Sequence, residues 1–240
     1  MIVAYERKCE TIVLHLPNGK FWRLQQFLAS SWRRGLFRTL KIAAFEVWHD
    51  LKFGGVTGVV IPAAALDFTA EARAHASDYF PSSYLFMQEA FKAGGKDWRG
   101  LTFVDFGCGM GRALLFASTL PFREIIGVEL SPSLAQVARR NLTAYYAATG
   151  KTSPLWRVET SDARTFDIPP EASVFYFFNP FDAAVLAAVA DRLITLARRA
   201  QRELLILYVK PEHEDVFGSR GFVRLPASTT DFALFTRATW

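Results

Sequence analysis

The 240-residue sequence predicts an α/β fold, a mostly parallel, doubly wound sheet with helices on both faces. Three observations carry this. From Phe103 onward, short β-rich apolar runs alternate with helix-length amphipathic stretches. A glycine-rich turn, VDFGCGMGR at 104–112, stands where a strand hands over to a helix. After the fifth apolar run the pattern changes to GFVRLPASTTDFALFTRATW, two β-like runs joined by a turn of Pro, Ala, Ser and Thr. That change predicts a hairpin closing the sheet with an antiparallel edge.

The strands follow in order as LTFVDF (101–106), REIIGVEL (123–130), LWRVETS (155–161), ASVFYFF (172–178) and ELLILYV (203–209). Between them lie helical stretches at 111–120, 131–149 and 182–201. The middle one has a clean start, with Ser131 placed to cap it and Pro132 at its first position, where a missing amide hydrogen costs nothing. Upstream, DYFPSSYLFMQEAFKAGG (78–95) reads as a helix leading into the first strand. WRRGLFRTLKIAAFEVWHDLKF (32–53) reads as an amphipathic helix, with Leu36, Phe37, Leu40, Ala44, Val47 and Trp48 on one face and Arg34, Arg38 and Lys41 on another. Its basic face is either solvated, the helix docking on the main domain, or a contact for an acidic substrate. Asn18-Gly19 is a hairpin signal. The expected division is a mainly helical N-terminal accessory region, 1–76, and a main domain, 77–240.

Composition narrows the class. Hydrophobic residues make up 51% of the chain and charged residues 21%, enough for one substantial core and unlike a disordered chain. A net charge of +5 and a pI near 9.3 suit an acidic partner but give only weak support for nucleic acid. Cys9 and Cys108 are too few for a disulfide framework, and His15, His49, His75 and His213 do not fall at metal-ligand spacings. The N-terminus turns charged before a signal peptide can form, and the charge-free run 53–66 is broken by glycines and a proline. No membrane span and no metal are expected, and the cytoplasm is the expected location.

The glycines at 107, 109 and 111 let a ligand lie against the turn, near the positive end of the following helix. Their G-x-G-x-G spacing differs from the G-x-G-x-x-G that seats a pyrophosphate, and Asp105 just ahead of them opposes a pyrophosphate but favours an ammonium. A cationic adenosine ligand fits better than a dinucleotide. Glu129, with Leu130 beside it, ends the second strand 22 residues past Gly107, where a carboxylate can accept bonds from two ribose hydroxyls or cap the next helix. Asp162 and Ala163 follow the third strand, where a side chain and an amide can read an adenine edge or make an ordinary turn.

With VDFGCGMGR, GVELSP, SDA and FFNPF in hand, the sequence resembles the class I S-adenosylmethionine-dependent methyltransferases over roughly residues 78–240. The resemblance implies a Rossmann-like, seven-stranded sheet whose last strand is antiparallel. It implies S-adenosyl-L-methionine as cofactor, with Asp105, Gly107, Cys108, Gly109 and Gly111 holding its methionine end, Glu129 its ribose, and Asp162 with Ala163 its adenine. It also implies that DYFPSSYLF (78–86) folds over the cofactor with Tyr79 or Tyr84 near its carboxylate, although both tyrosines read equally as core. Asn179, Pro180 and Phe181 would sit beside the methyl group and orient the acceptor. They resemble the (D/N)-P-P-(Y/F) signature of enzymes that methylate amino nitrogens, with one proline absent. The expected activity is methyl transfer to an amine of a protein lysine, nucleobase or small molecule. The alternatives are an NAD(P)-dependent oxidoreductase and a non-catalytic nucleoside- or nucleic-acid-binding module.

Overall fold

The computed structural model describes residues 35–55 and 57–237, so the Asn18-Gly19 signal, Cys9 and His15 lie outside the described residues. The chain separates into two compact units, Met1–Ala43 and Ala44–Trp240. Of the first unit, the described residues form the opening turns of helix α1 (Leu36–Phe53), where the Thr39 hydroxyl donates back to the Gly35 carbonyl at 3.1 Å.

The second unit holds β1 (Thr102–Phe106), β2 (Glu124–Glu129), β3 (Leu155–Thr160), β4 (Ala172–Phe177), β5 (Leu204–Val209), β6 (Val223–Arg224) and β7 (Phe232–Arg237). They form one seven-stranded sheet in the order β3-β2-β1-β4-β5-β7-β6. β1 to β5 pair in parallel, and β7 runs antiparallel between β5 and β6. Every position of β1, β4 and β5 is buried, which is why these strands read as unbroken apolar runs rather than alternating ones. β6, at the edge, is exposed at both of its residues.

The helices of this unit are α2 (Ala70–His75), α3 (Tyr84–Gly94), α4 (Arg112–Ala117), α5 (Pro132–Thr149), α6 (Ala183–Ala200) and α7 (Asp215–Gly218). Ser131 caps α5 as its sequence predicts, accepting from the Leu134 amide at 3.2 Å. Asp182 caps α6 in the same way, and that helix buries Leu186, Val189, Ala190, Leu193 and Ala197 at helical spacing against Phe106, Phe175, Phe177 and Ile206. On the opposite face α3 supplies Phe91, which packs on Phe103 and Trp98 with ring centroids 5.6 and 5.4 Å away.

The sheet-bearing unit begins at Ala44, well before the boundary near 77 expected from the sequence. The reason is contact: His49 stacks on Tyr84 at 4.5 Å, Phe53 meets Tyr145 edge-on at 5.2 Å, and Ile61 exchanges both backbone bonds with Tyr79 at 3.0 and 2.8 Å. The second half of α1 also turns a different face inward from the one its periodicity suggests. Val47, Trp48 and Leu51 are exposed, whereas Glu46, His49 and Phe53 face the sheet unit. No helix among the described residues is long and apolar enough to cross a membrane.

Candidate functional site

In the order β3-β2-β1-β4 the chain leaves β1 toward β2 on one side and returns to β4 on the other, so a crevice opens beyond the carboxyl ends of β1 and β4. A cavity of about 480 Å³ occupies it, within the ~300–1,000 Å³ typical of small-molecule sites. The register brings Phe106, Val128 and Phe177 level across the sheet, so residues just past each strand converge on one rim. Asp105, Gly107, Cys108, Gly109, Glu129, Leu130, Asp162, Ala163, Asn179, Pro180 and Phe181 all line the cavity.

Two expected residues do not line it. Gly111 is the N-cap of α4 at φ 81°, and a Cβ there would come 3.1 Å from the Cβ of Ala138, so its missing side chain lets α4 approach α5. Tyr84 is fully buried between His49 and Arg112, whose guanidinium lies 3.8 Å from its ring centroid. The tyrosine that reaches the turn is Tyr79. Its hydroxyl donates to the Thr57 carbonyl at 3.0 Å, and its ring lies where a Cβ on Gly109 would be, 2.2 Å away. Gly107, at φ 76°, meets Pro180 in the same way, with 2.2 Å to the proline Cβ. The glycines thus make room for side chains of this chain.

Cys108 packs inward, its sulfur 2.7 Å from where a Cβ on Gly127 would stand, and burial pushes its thiol well up. It is a filler, not a nucleophile.

The carboxylates set the electrostatics. Asp105 is 2% exposed, and burial together with the Glu129 charge holds it well above the usual carboxylate range. A cation arriving beside it would reverse that balance. Burial also raises Glu129, partly offset by bonds from the Ser131 amide to Oε1 at 2.9 Å and from the Gly109 amide to Oε2 at 2.8 Å. Glu129 therefore holds the glycine turn and the start of α5 while facing the cavity. Each oxygen keeps a second lone pair, so these bonds leave Glu129 acceptor capacity toward the cavity. Asp162 is gripped by Arg164, through Nη2 at 2.6 Å and the backbone amide at 2.8 Å, and the Arg164 bond is the main cause of its lowered pKa.

Past β4, Asn179 adopts a left-handed φ of 45°, a conformation asparagine tolerates better than most residues and one often found at functional turns. Its Oδ1 accepts from the Tyr208 hydroxyl at 3.0 Å, which fixes the carboxamide and leaves one lone pair for anything else. Phe181 packs edge-on against Phe177 at 6.3 Å and pairs through its backbone with Ala76.

Arg112 escaped sequence reasoning altogether. Opening α4 directly after the glycine turn, it is 4% exposed and donates to the Ser82 carbonyl at 2.8 Å, the Asp50 carboxylate at 2.9 Å, the Thr57 hydroxyl at 2.8 Å and the Glu46 carboxylate. Glu46 in turn accepts from the Tyr84 amide and the Ser83 hydroxyl at the head of α3. Asp67 does a similar service on the other side, accepting from the Ser133 amide at 2.9 Å and the Ser131 hydroxyl, which brings Leu66 and Phe68 to the cavity wall. No local signal marks these residues, because their partners lie 30 to 66 positions away. Among the described residues, no group of three or more His, Cys, Asp or Glu side chains is placed to hold a metal ion.

No family model and no curated protein matches the sequence. Among solved structures, a magnesium protoporphyrin IX methyltransferase from Synechocystis PCC 6803 with bound SAM is 15% identical, over 64% of this chain and 79% of its own, with a TM-score of 0.46. A mitomycin 7-O-methyltransferase is 17% identical over 65% of this chain and 55% of its own, TM-score 0.47. A ribosomal protein L11 methylase from Lactobacillus delbrueckii subsp. bulgaricus is 13% identical over 66% and 81%, TM-score 0.45. Likeness at this level is one of outline only. By its own strand order the chain is a doubly wound, Rossmann-like α/β protein with one antiparallel strand and a carboxylate-lined crevice at the switch point.

Proposed function

We propose that this chain is an S-adenosylmethionine-dependent methyltransferase whose cofactor lies in the crevice at the head of β1. The observation that carries the reading is the convergence of Asp105, Glu129 and Asp162, from three successive strand ends, around a glycine turn in one cavity. The residues fit the group. A buried carboxyl group held up by burial and by a neighbouring carboxylate, with no cation lowering it, suits an ammonium, and a second carboxylate facing the cavity suits a ribose diol. A pyrophosphate at the same place would crowd its negative charge against these two buried carboxyl groups and raise the cost of ionising them further.

The cofactor would supply an electrophilic methyl on a positively charged sulfur. The chain's part is positioning: Asp105 and the turn hold the amino-acid end, Glu129 and Leu130 the ribose, Asp162 and Ala163 the base. Tyr79 and the Asn179-Pro180-Phe181 loop enclose the methyl group. Alignment of this kind accounts for about 7 kcal/mol or more of barrier reduction. The acceptor we favour is an amine nitrogen of a protein, nucleobase or small molecule, oriented by the Asn179 carboxamide and the aromatic rings of Phe178 and Phe181. The N-terminal part helps cover the acceptor site, with Leu66, Phe68 and His75 on the cavity wall, and the expected compartment is the cytoplasm.

Two measurements test the reading. Calorimetric titration should find saturable micromolar binding of S-adenosylhomocysteine and none of NAD, and the reverse pattern would replace the proposal with an oxidoreductase. Tritiated-methyl labelling of a deletion-strain lysate, fractionated into protein, nucleic acid and small molecules, should then label one class. Binding with no labelled fraction would leave a non-catalytic nucleoside-binding module.

A further inference from the structure

At the rim of the same cavity, the end of α2 meets the start of α6. His75 Nδ1 lies 2.6 Å from Oδ2 of Asp182, a residue 107 positions away. The pair is fixed from both sides. The Asp182 amide donates to the His75 carbonyl at 3.2 Å, and Ala76 pairs antiparallel with Phe181 next to it. The other Asp182 oxygen, Oδ1, accepts from the Val185 amide at 3.0 Å as the cap of α6. His75 lines the cavity together with Asn179, Pro180 and Phe181. Its side chain is 40% exposed and that of Asp182 42%, so a proton there can reach solvent. An ion pair this open adds little to stability, so pinning the two segments is a weak reason for it.

A carboxylate that accepts from Nδ1–H selects the tautomer whose lone pair is on Nε2, the arrangement of a general base oriented by an acid. Burial pushes the Asp182 carboxyl up, and the His75 bond with the amides at the start of α6 more than offsets this, so Asp182 stays ionised through neutral pH. We propose that His75 is the general base for the acceptor, taking its proton on Nε2 while Asp182 orients the ring. The proposal rests on the methyltransferase reading and adds a requirement to it: the acceptor is a hydroxyl or a protonated nitrogen that must lose a proton as it is methylated. Nε2 takes the acceptor proton, before attack for an ammonium and during it for a hydroxyl; the acceptor's lone pair then forms the bond to the methyl carbon, the carbon–sulfur bond breaks with its pair going to sulfur, and the proton passes from Nε2 to water. The positive charge of the sulfonium leaves as that proton.

Arg164 is the charged neighbour that feels Asp182 and lies 4.0 Å from Glu71, while Asp78, Lys210 and Glu212 line the same cavity.

The test uses the full chain. Nitrogen-15 NMR of the wild type should show neutral His75 protonated at Nδ1 and bare at Nε2; the opposite tautomer overturns the proposal. His75→Gln and Asp182→Asn should bind S-adenosylhomocysteine within about twofold of wild type, because neither residue touches the cofactor in this reading. Absence of that binding in the wild type would refute the methyltransferase reading itself, a separate result. With tritiated S-adenosylmethionine and the lysate fraction the wild type labels, transfer by His75→Gln should fall about 100-fold or more and lose the rising limb of its pH profile. Imidazole should restore part of the activity of His75→Ala. A His75→Gln protein that keeps the wild-type rate and limb, or one in which affinity and transfer fall together, would overturn the assignment in favour of a mere pin.

Discussion

Glu129 serves two masters, and a substitution can separate them. Its oxygens hold the Gly109 and Ser131 amides while facing the cavity. Glu129→Gln keeps one carbonyl acceptor but loses the charge, so S-adenosylhomocysteine affinity should fall by about 1–3 kcal/mol, the range for hydrogen bonds to a charged group. Calorimetry on the folded variant checks this, and unchanged affinity would leave Glu129 as a cap alone. The glycines give a second contrast. Gly107→Ala puts a Cβ 2.2 Å from Pro180 in a left-handed backbone, whereas Gly150 has a similar φ, 65°, with nothing within 4 Å. Gly150→Ala should cost only the left-handed penalty, about 1–2 kcal/mol. Gly107→Ala should cost more, or displace the Asn179–Phe181 loop, and urea denaturation of the pair measures the difference.

Among the elements, the second half of α1 behaves least as its pattern suggests. A helix with Val47, Trp48 and Leu51 outward is held instead through Glu46 and Asp50 to the Arg112 guanidinium, itself stacked on Tyr84. Removing one partner of a buried ion pair strands the other, so Arg112→Leu should destabilise the sheet unit by roughly 3 kcal/mol or somewhat less, given that Asp50 is 43% exposed. Chemical denaturation gives the number; a loss under 1 kcal/mol would mean that the contact is incidental. The strands, the α5 start and the α6 stretch were legible because their signals are local: apolar runs, Ser131-Pro132, and a helical repeat over 182–201. The roles of Tyr79 and Tyr84 were not legible. Five positions apart in one aromatic stretch, they differ only in that Tyr84 falls in the first turn of α3 facing the core, while Tyr79 lies in the extended segment paired with Ile61.

Across the fold, the raised pKa of Asp105 couples stability to pH. In the folded, ligand-free chain Asp105 keeps its proton to higher pH than the ~3.9 of an unfolded aspartate. Between those two values the folded state binds the extra proton, so stability is full below the unfolded pKa and is lost as pH rises through the folded one. Every tenfold gain in proton affinity on folding corresponds to about 1.4 kcal/mol. Asp105→Asn should therefore be stabilised relative to wild type as pH rises toward neutrality, measured as the difference between their urea midpoints across pH 4–8. A ligand bearing an ammonium should release a proton on binding to wild type but not to the variant, read from titrations in buffers of different ionisation enthalpy. What the residues determined unaided was everything carried by neighbours along the chain: the order of strands and helices, the caps, and the placing of Asp105, Glu129, Asp162 and Asn179 just inside or beyond strand ends. What the tertiary structure alone decided was which surfaces meet. It turned α1 by its charges, set Tyr79 rather than Tyr84 over the glycine turn, and joined His75 to Asp182. Periodicity reports which side chains share a face, but the partner of that face is chosen by packing between segments far apart in sequence, where desolvation and pairing of a few charges outweigh local pattern.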